Sequence, residues 1–298
     1  METGEIVVSI RCIAYNQEPY IRQCLDGFVM QKTNFHFEAI VHDDASTDGT
    51  AAIIKEYAEK YPDIIKPIIE TENQFSKHDG SLREIMNKAC KGKYVAMCEG
   101  DDYWTDPYKL QKQVDFMDRH PGIIACFHNA RVQYKDHVLL FNDLEENHYP
   151  STEDIIKRRW FIATATLLFR NCLKEMPEWS RGVINGDYLT ELLLAKEGGF
   201  YYMDDVMAVY RQDGMGLSAA LNRNKADMTD KLIFLLNNMK PLYGDKYAAA
   251  FDESIMNYQR DRANYEREAY YESHPLARLL RPKTYKRIIK KWLRNNIQ

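Results

Sequence analysis

The sequence predicts an α/β fold with a mostly parallel central sheet flanked by helices. Two observations lead to this prediction. Over residues 6–130, short apolar runs of strand type alternate with runs whose apolar residues recur at helical spacing. The links between these runs are short, as they are where helices join parallel strands and cover both faces of the sheet.

The first part of the chain shows the clearest alternation. Strands are predicted at residues 6–10, 37–41, 64–69 and 94–98, and helices at residues 18–30, 48–60 and 82–89. In the first of these helices Ile21, Leu25 and Phe28 fall on one face, as a helix packed on a sheet requires. Asp48 is predicted to be the N-cap of the second helix, because its side chain can accept a hydrogen bond from the first turn.

Later in the chain the pattern changes to strands with longer connections. Strands are predicted at residues 123–127, 138–141, 164–169 and 201–203, and a helix at residues 188–196. Beyond residue 221 the spacing is helical, with few turn signals. We therefore expect one α/β domain over residues 1–220 and a helical C-terminal region over residues 221–298.

The composition excludes several classes of protein. The 40 basic and 44 acidic residues nearly balance, and the net charge of −4 argues against general nucleic-acid binding. The six cysteines form no CxxC pair, so free buried thiols in a reducing compartment are expected. The acidic start does not resemble a signal peptide, and no apolar run reaches the roughly 18 residues of a membrane span. A cytoplasmic location follows as an expectation.

Three polar clusters follow predicted strands, at residues 15–18, 43–48 and 99–102. Because ligands of such sheets bind beyond the carboxyl ends of the strands, these clusters should converge at one edge. Asp101 and Asp102 close a buried strand there. A lone pair of aspartates is more often a turn or a helix cap, but in this place the pair suits Mn²⁺ or Mg²⁺ bound together with substrate phosphates. Neither a GxGxxG nor a GxxxxGK[ST] phosphate loop is present.

The same residues resemble a known family. The segments are Ser9-Ile10 with Tyr15-Asn16-Gln17-Glu18, Asp43-Asp44-Ala45-Ser46-Thr47-Asp48-Gly49-Thr50, and Gly92-Lys93-Tyr94 leading to Glu99-Gly100-Asp101-Asp102-Tyr103-Trp104. In this order and spacing, over residues 6–218, the chain resembles family 2 of the inverting glycosyltransferases. The resemblance implies the GT-A fold and a nucleotide-sugar donor, most simply a UDP-sugar.

The resemblance also implies roles for the residues that would hold the donor. Ala14, Tyr15, Asn16 and Glu18 would line the nucleotide, with Tyr15 near the base. Asp44 would accept a hydrogen bond from the base ring, and Asp101 would contact the ribose. The family often has Pro-Thr where this chain has Ile13-Ala14, so one hydroxyl near the nucleotide is missing.

The remaining roles concern the metal and the reaction. By resemblance Asp102 would ligate the metal on the diphosphate, and Asp187 would be the catalytic base. Residues 210–218 resemble a segment that closes over the diphosphate, and Arg211 in it could add positive charge there. Asp213 stands where many members have histidine; it either ligates the metal or leaves that contact missing.

The expected reaction is transfer of one sugar to an acceptor hydroxyl with inversion at the anomeric carbon. No QxxRW segment is present, which argues against a processive polymer synthase. Two alternatives remain: an inactive nucleotide-sugar-binding protein, and a sugar nucleotidyltransferase. The second would normally have a glycine-rich basic loop after its first strand, which this sequence lacks.

A basic C-terminal segment suggests where the acceptor is found. Residues 274–298 contain eight Lys or Arg and no acidic residue, and residues 276–296 can form an amphipathic helix with Trp292 on its apolar side. Such a helix is typical of peripheral membrane contact, here at the inner face of the cytoplasmic membrane, and would suit a saccharide or lipid-linked saccharide acceptor of surface polysaccharide assembly. The alternative is a helix docked on the protein's own core.

Overall fold

The structure is a computed structural model that describes residues 4–145, 148–157, 161–212 and 224–274. Its strands are β1 (Ile6–Ala14), β2 (His36–Asp43), β3 (Ile65–Ile69), β4 (Tyr94–Met97), β5 (Tyr103–Trp104), β6 (Ile123–Gln133), β7 (Val138–Leu140), β8 (Leu168–Arg170) and β9 (Gly199–Arg211). Its helices are α1 (Glu18–Val29), α2 (Thr50–Lys60), α3 (Ser81–Ala89), α4 (Lys109–Arg119), α5 (Thr152–Lys157), α6 (Gly186–Glu197), α7 (Lys225–Tyr243) and α8 (Ala248–Ser273).

All nine described strands form one sheet. Its order is β3-β2-β1-β4-β8-β6-β9-β5, and β7 pairs with β6. β1 lies in the middle of the first half, where Ile10 is opposite Ala39 of β2 and Ala96 of β4, both in parallel register. β8 is antiparallel to β4 and β6, and β9 is parallel to β6. Six of the nine strands therefore run in one direction, and the prediction of a mostly parallel sheet is confirmed.

Helices cover both faces of this sheet, as predicted. On one face, α1, α2 and α4 bury Leu25, Ile54 and Leu110 in a cluster with the alternate residues of β1. On the other face, a second cluster includes Leu192 of α6 and Phe251 of α8. Side chains alternate across a strand, so the two faces of the same strands supply two separate cores.

The structure corrects three details of the sequence prediction. Residues 164–169 are not one strand: Thr164–Thr166 forms a 3₁₀ turn, and only Leu168–Arg170 is β8. The N-cap of α2 is Gly49 rather than Asp48, although the Asp48 carboxylate does accept the Thr50 N–H at 3.0 Å. Helix α4 was not predicted, because its single apolar stripe lies among charged and amide residues.

The six cysteines are free in the described chain, as expected from the sequence. Five are buried, and Cys172 is exposed. Cys12 and Cys24 approach to 4.0 Å between their sulfur atoms. Burial raises the pKa of the Cys98 thiol to about 11 and that of the Cys126 thiol to about 12, so these thiols remain protonated at neutral pH.

The helical character predicted for the C-terminal region holds for α7 and α8. Leu235 and Met239 of α7 and Phe251 and Ile255 of α8 belong to the same buried cluster as α6, so both helices pack on the sheet domain. Within the described residues, no helix combines the length and apolar character needed to cross a membrane. The basic segment 276–296 lies outside the described residues, and its membrane contact stays a prediction.

Gly92 sets how closely the turn before β4 approaches β1. Its N–H donates to the Ser9 hydroxyl at 2.8 Å, and a Cβ atom there would lie 2.5 Å from the backbone nitrogen of Ser9 and 2.8 Å from the carbonyl carbon of Val8. Gly92→Ala should therefore lower the free energy of unfolding by about 1–3 kcal/mol in urea denaturation, because backbone atoms in a sheet cannot move aside.

Gly122→Ala is the matched control for this prediction. Nothing lies within 4 Å of the position that its Cβ would take, so its free energy of unfolding should stay within about 0.5 kcal/mol of the wild type. Equal stabilities of the two variants would show that β1 and the turn before β4 are not tightly packed.

Candidate active site

The loops that follow β1, β2 and β4 meet at one edge of the sheet, as the sequence predicted. The Asn16 N–H donates to the Ser46 hydroxyl at 2.9 Å, and the Thr47 N–H donates to Oδ1 of Asn16 at 2.8 Å. The Gly100 N–H donates to the carbonyl of Ile13 at 3.0 Å, which joins the third loop to the first. Asn16 has a φ of 52°, a left-handed conformation that asparagine tolerates better than most residues.

The residues predicted to line the nucleotide lie in the first of these loops. Ala14 is buried at the end of β1, and the Tyr15 side chain is 48% exposed. Glu18 accepts the Gly49 N–H at 2.9 Å and thus binds the N-terminus of α2. Tyr15 is therefore accessible to a ligand, whereas the Glu18 carboxylate and the Asn16 amide oxygen already have structural partners.

Asp44 is buried beneath the same edge, with 1% of its surface exposed. Its carboxylate accepts the N–H groups of Gln74 at 2.6 Å and Phe75 at 3.0 Å. The carboxylate thereby fastens a short 3₁₀ helix, Phe75–Lys77, to the end of β2. A nucleotide base that donates a hydrogen bond to Asp44, as predicted, would bind a carboxylate oxygen that already accepts one of these two N–H groups.

The aspartate pair lies in the loop after β4. Asp102 is 2% exposed, and its Oδ1 accepts the backbone N–H of Arg211 at 2.9 Å. Burial raises the pKa of the Asp102 carboxyl well above its ordinary value, and the neighbouring Asp101 carboxylate raises it further. A cation at this position would offset the cost of ionising a buried carboxyl.

The donor atoms at this loop fit a Mn²⁺ or Mg²⁺ ion bound together with a diphosphate. No described residue donates a hydrogen bond to Oδ2 of Asp102, so that oxygen can ligate a cation. Among the described residues no group of three or more His, Cys, Asp or Glu side chains forms a complete metal cage. These cations commonly bind through one or two carboxylates plus phosphate and water, and the Asp102 carboxylate fits that kind of site.

Arg211 joins the aspartate loop to helix α1. Its guanidinium lies over the rings of Tyr20 and Tyr103, at 5.0 and 4.5 Å from their centroids. It also donates to the carbonyl of Asp101 and to Oε1 of Gln23. Gln23 was not singled out from the sequence, because a polar residue on an exposed helix face carries no signal. The predicted ligand Asp213 lies outside the described residues.

Asp187 is the second residue of α6 and is partly buried. Its Oδ2 accepts the hydroxyl of Thr164 at 2.7 Å. Thr164 belongs to the 3₁₀ turn before β8, so the turn that replaced part of a predicted strand fixes one oxygen of this carboxylate. The Asp187 carboxylate therefore has a side-chain hydrogen-bond partner outside α6, whereas a simple helix cap would bind only backbone N–H groups of the first turn.

Three charged residues to which the sequence assigns no role interact electrostatically with Asp187: Arg83, Glu99 and Glu191. Burial raises the pKa of Glu99 to about 8, the Asp187 and Asp101 carboxylates raise it too, and Arg11 opposes them. Burial also raises the pKa of Glu191 well above its ordinary value, with a further contribution from Asp187. Arg11 stands inside an apolar strand and Glu99 directly precedes Gly100. A charged residue inside an apolar strand or directly after one is the sequence signal by which these two residues could have been identified.

The model of the family described as "Glycosyl transferase family 2" matches residues 9–172, which is more than half of the 298-residue chain. The chain belongs to glycosyl transferase family 2. The match includes the loops after β1, β2 and β4, whereas Asp187 and Arg211 lie beyond it.

Several proteins are similar in sequence to this family 2 member. The uncharacterized protein Rv1520 of Mycobacterium tuberculosis H37Rv is 39% identical over 227 residues, covering 73% of this chain and 63% of that relative. TuaG of Bacillus subtilis, named for teichuronic acid biosynthesis, is 25% identical over 88% of this chain and 100% of its own. WfaP of Escherichia coli, a UDP-Glc:α-D-GlcNAc-diphosphoundecaprenol β-1,3-glucosyltransferase, is 33% identical over 48% of this chain and 54% of its own.

Solved structures of glycosyltransferases share the fold. TarS of S. aureus, in complex with UDP-GlcNAc, aligns with a TM-score of 0.64 at 17% identity and covers 90% of this chain and 76% of its own. The mannosyltransferase PcManGT of Pyrobaculum calidifontis, in complex with GDP-Man and Mn²⁺, aligns with a TM-score of 0.56 at 17% identity, covering 95% and 83%. The GT-A fold expected from the resemblance is thereby confirmed.

Proposed function

We propose that this family 2 member transfers one sugar from a nucleotide-diphosphate sugar to an acceptor hydroxyl, with inversion at the anomeric carbon. The observation that supports this most is the position of Glu99, whose carboxyl interacts electrostatically with both Asp102 and Asp187. A carboxylate suited to a metal and a carboxylate suited to a base thus lie near one another, although 85 positions separate them in the sequence.

We propose a UDP-sugar as donor and Mn²⁺ or Mg²⁺ as cofactor. TarS binds UDP-GlcNAc, and PcManGT binds GDP-Man with Mn²⁺. Asp102 would hold the metal, Asp101 the ribose, and Tyr15 and Asn16 the base. When bound, the cation would supply Lewis-acid stabilisation of the charge that develops on the leaving diphosphate. The Arg211 guanidinium would add a second positive charge at that edge.

Asp187 would act as the general base. The acceptor hydroxyl is a weak nucleophile until its proton is removed as the new C–O bond forms. The Thr164 hydroxyl occupies Oδ2 of Asp187 at 2.7 Å, which leaves Oδ1 to receive that proton. Attack on the face opposite the diphosphate gives inversion in one displacement, and no covalent sugar–enzyme intermediate is formed.

The acceptor proposed is a saccharide or lipid-linked saccharide of surface polysaccharide assembly. WfaP is named for a diphosphoundecaprenol-linked acceptor, and TuaG for teichuronic acid biosynthesis. The chain spans 63% of the length of the mycobacterial relatives that it matches. A cytoplasmic protein, held at the inner face of the membrane by residues 276–296, would meet such an acceptor.

Donor binding and turnover can be measured separately. We expect UDP-sugars to raise Tm only with Mn²⁺ or Mg²⁺ present, and to release UDP when a suitable acceptor is added. Saturable binding without UDP release across a panel of acceptors would favour an inactive sugar-nucleotide-binding protein. Release of pyrophosphate from a nucleoside triphosphate and a sugar 1-phosphate would favour a nucleotidyltransferase.

Asp102→Asn tests the metal anchor. The amide keeps the shape and can still accept the Arg211 N–H, but it carries no charge for the cation. We expect the metal-dependent part of the UDP-induced Tm shift to be lost and transfer to fall by at least about 100-fold.

Asp136→Asn, which changes an exposed turn residue, is the control and should behave as the wild type. A metal-dependent Tm shift that survives in Asp102→Asn would remove Asp102 from the proposed site.

A further inference from the structure

Arg83 holds the segment that leads into α6. It projects from α3, and its Nη1 and Nη2 donate to the carbonyl oxygens of Ser180 at 3.1 Å and Val183 at 3.0 Å. Helix α6 begins three residues after Val183, with Asp187 as its second residue. Two parallel hydrogen bonds from one planar guanidinium restrain this backbone more than a single donor can.

Helix α3 is a firm support for these contacts. Met86 is fully buried in the core, and Nδ2 of Asn87 donates to the carbonyl of Leu173 at 3.1 Å. At the start of the helix Gly80, with a φ of 86°, lies so close to Arg181 that a Cβ atom would be 3.3 Å from its Cα. The segment 180–183 is therefore held against α3 at its first residues and again at Val183.

Arg83 also brings a positive charge close to Asp187. Burial and Arg11 lower the pKa of Arg83 to about 10, and the Asp187 carboxylate opposes that change, so the guanidinium stays charged at neutral pH. Among the described residues, Glu99 and Glu191 also interact with Asp187, and burial drives both of them toward the neutral form. The Arg83 guanidinium is therefore a charge of opposite sign close to the Asp187 carboxylate.

We propose that Arg83 is a positioning residue for Asp187. It fixes the backbone that orients the carboxylate and brings a positive charge close to it. The inference rests on the proposed role of Asp187 as general base. It assigns Arg83 to the acceptor side of the reaction, because both of its hydrogen bonds go to the segment before α6 rather than to the loops at the nucleotide edge.

The test compares Arg83→Met, Arg83→Lys and the control Arg181→Met in steady-state transfer from a UDP-sugar with Mn²⁺. Methionine keeps the apolar stem and removes both hydrogen bonds and the charge, whereas lysine keeps the charge and can bond only one carbonyl. We expect Arg83→Met to lower kcat about 10- to 100-fold with the donor KM within about threefold.

Arg83→Lys should lower kcat to a value between those of Arg83→Met and the wild type, with the donor KM unchanged. Arg181→Met, which changes an exposed side chain of the same segment, should keep kcat within about twofold. An unchanged kcat in Arg83→Lys, or a raised donor KM at unchanged kcat in either variant, would overturn the inference. If Arg83→Met does not fold, the kcat and the donor KM of Arg83→Lys decide between the two outcomes.

Asp187→Asn in the same assay separates this inference from the proposed function. If Asp187→Asn is inactive and both Arg83 variants are fully active, Arg83 has no positioning role but the base assignment stands. If Asp187→Asn is as active as the wild type, the proposed base is wrong and the inference about Arg83 falls with it.

Discussion

Asp187→Asn should lower kcat for sugar transfer by about 10²- to 10⁴-fold while UDP-sugar binding stays close to that of the wild type. Asparagine has the same shape and can still accept the Thr164 hydroxyl, which lies 2.7 Å from Oδ2. It cannot take up a proton from the acceptor, so only the chemical step should suffer. Initial rates with saturating donor and acceptor measure kcat, and calorimetric titration with UDP and Mn²⁺ measures binding.

Asp252→Asn is a suitable control, because Asp252 lies on α8 in an ion pair with Lys240 and outside the site. Its kcat should be within twofold of the wild type. A loss of less than about tenfold in Asp187→Asn would show that another group removes the proton. A parallel loss of UDP binding would show that Asp187 supports the donor instead of the acceptor.

Lys109→Met should raise the free energy of unfolding at pH 7 by about 1–3 kcal/mol. Lys109 is fully buried on α4, and no described residue forms a hydrogen bond with its Nζ. The Nζ lies 3.7 Å from the centre of the Trp104 ring, whose face attracts a cation. Burial lowers the pKa of Lys109 from 10.5 to about 7, which corresponds to a cost of roughly 5 kcal/mol that the ring offsets in part. Methionine fills a similar volume without a charge.

The pH dependence gives this prediction a second measurement. The pKa of Lys109 is lower in the folded state than in the unfolded state, so its cost is complete below pH 7 and falls as pH rises toward 10.5. The wild type should gain up to about 1.4 kcal/mol per pH unit from this group between pH 7 and 9. Above pH 9 the buried Cys98 and Cys126 thiols, whose pKa values are raised, act in the opposite direction.

Urea denaturation at several pH values between 7 and 9 tests both the higher stability of Lys109→Met and the pH dependence of the wild-type stability. The stability difference between Lys109→Met and the wild type should shrink as pH rises across this window. Lys112→Met is the matched control, because Lys112 lies on the same helix but is exposed and paired with Asp106 and Asp205. It should change the free energy of unfolding by less than about 1 kcal/mol. A Lys109→Met variant less stable than the wild type at pH 7 would mean that the Trp104 contact outweighs the cost of burial.

The convergence of the three polar loops could be predicted from sequence because parallel strands bring their carboxyl ends to one edge. The order of strands and helices around residues 15–18, 43–48 and 99–102 is enough for this prediction. Asp187 is not covered by the same rule, because it lies beyond strand β8, which runs antiparallel to β4. Only the family resemblance identified Asp187, and its role remains a prediction.

Residues whose setting depends on long-range packing could not be predicted. Nothing in the sequence marks Lys109 as buried, and it is buried because α4 packs on β6 beside Trp104, whose indole N–H donates to the carbonyl of Ala165 at 2.8 Å. Arg83 shows the same limit, since its two acceptors are 97 and 100 residues away in the chain. Periodicity identifies the faces of a helix, but it does not show which distant backbone a side chain will meet.

The strand order has a consequence for how such a protein can diverge. The donor residues proposed in the loops after β1, β2 and β4 all come before residue 105. Thr164 and Asp187 come later in the chain, before and after β8, which pairs with the opposite edge of β4 from β1. Apart from Arg211, the residues proposed for the two substrates thus lie in separate, successive stretches of the gene. Exchange of the stretch around Thr164 and Asp187 between homologous genes would give a new acceptor preference while the nucleotide loops are inherited intact.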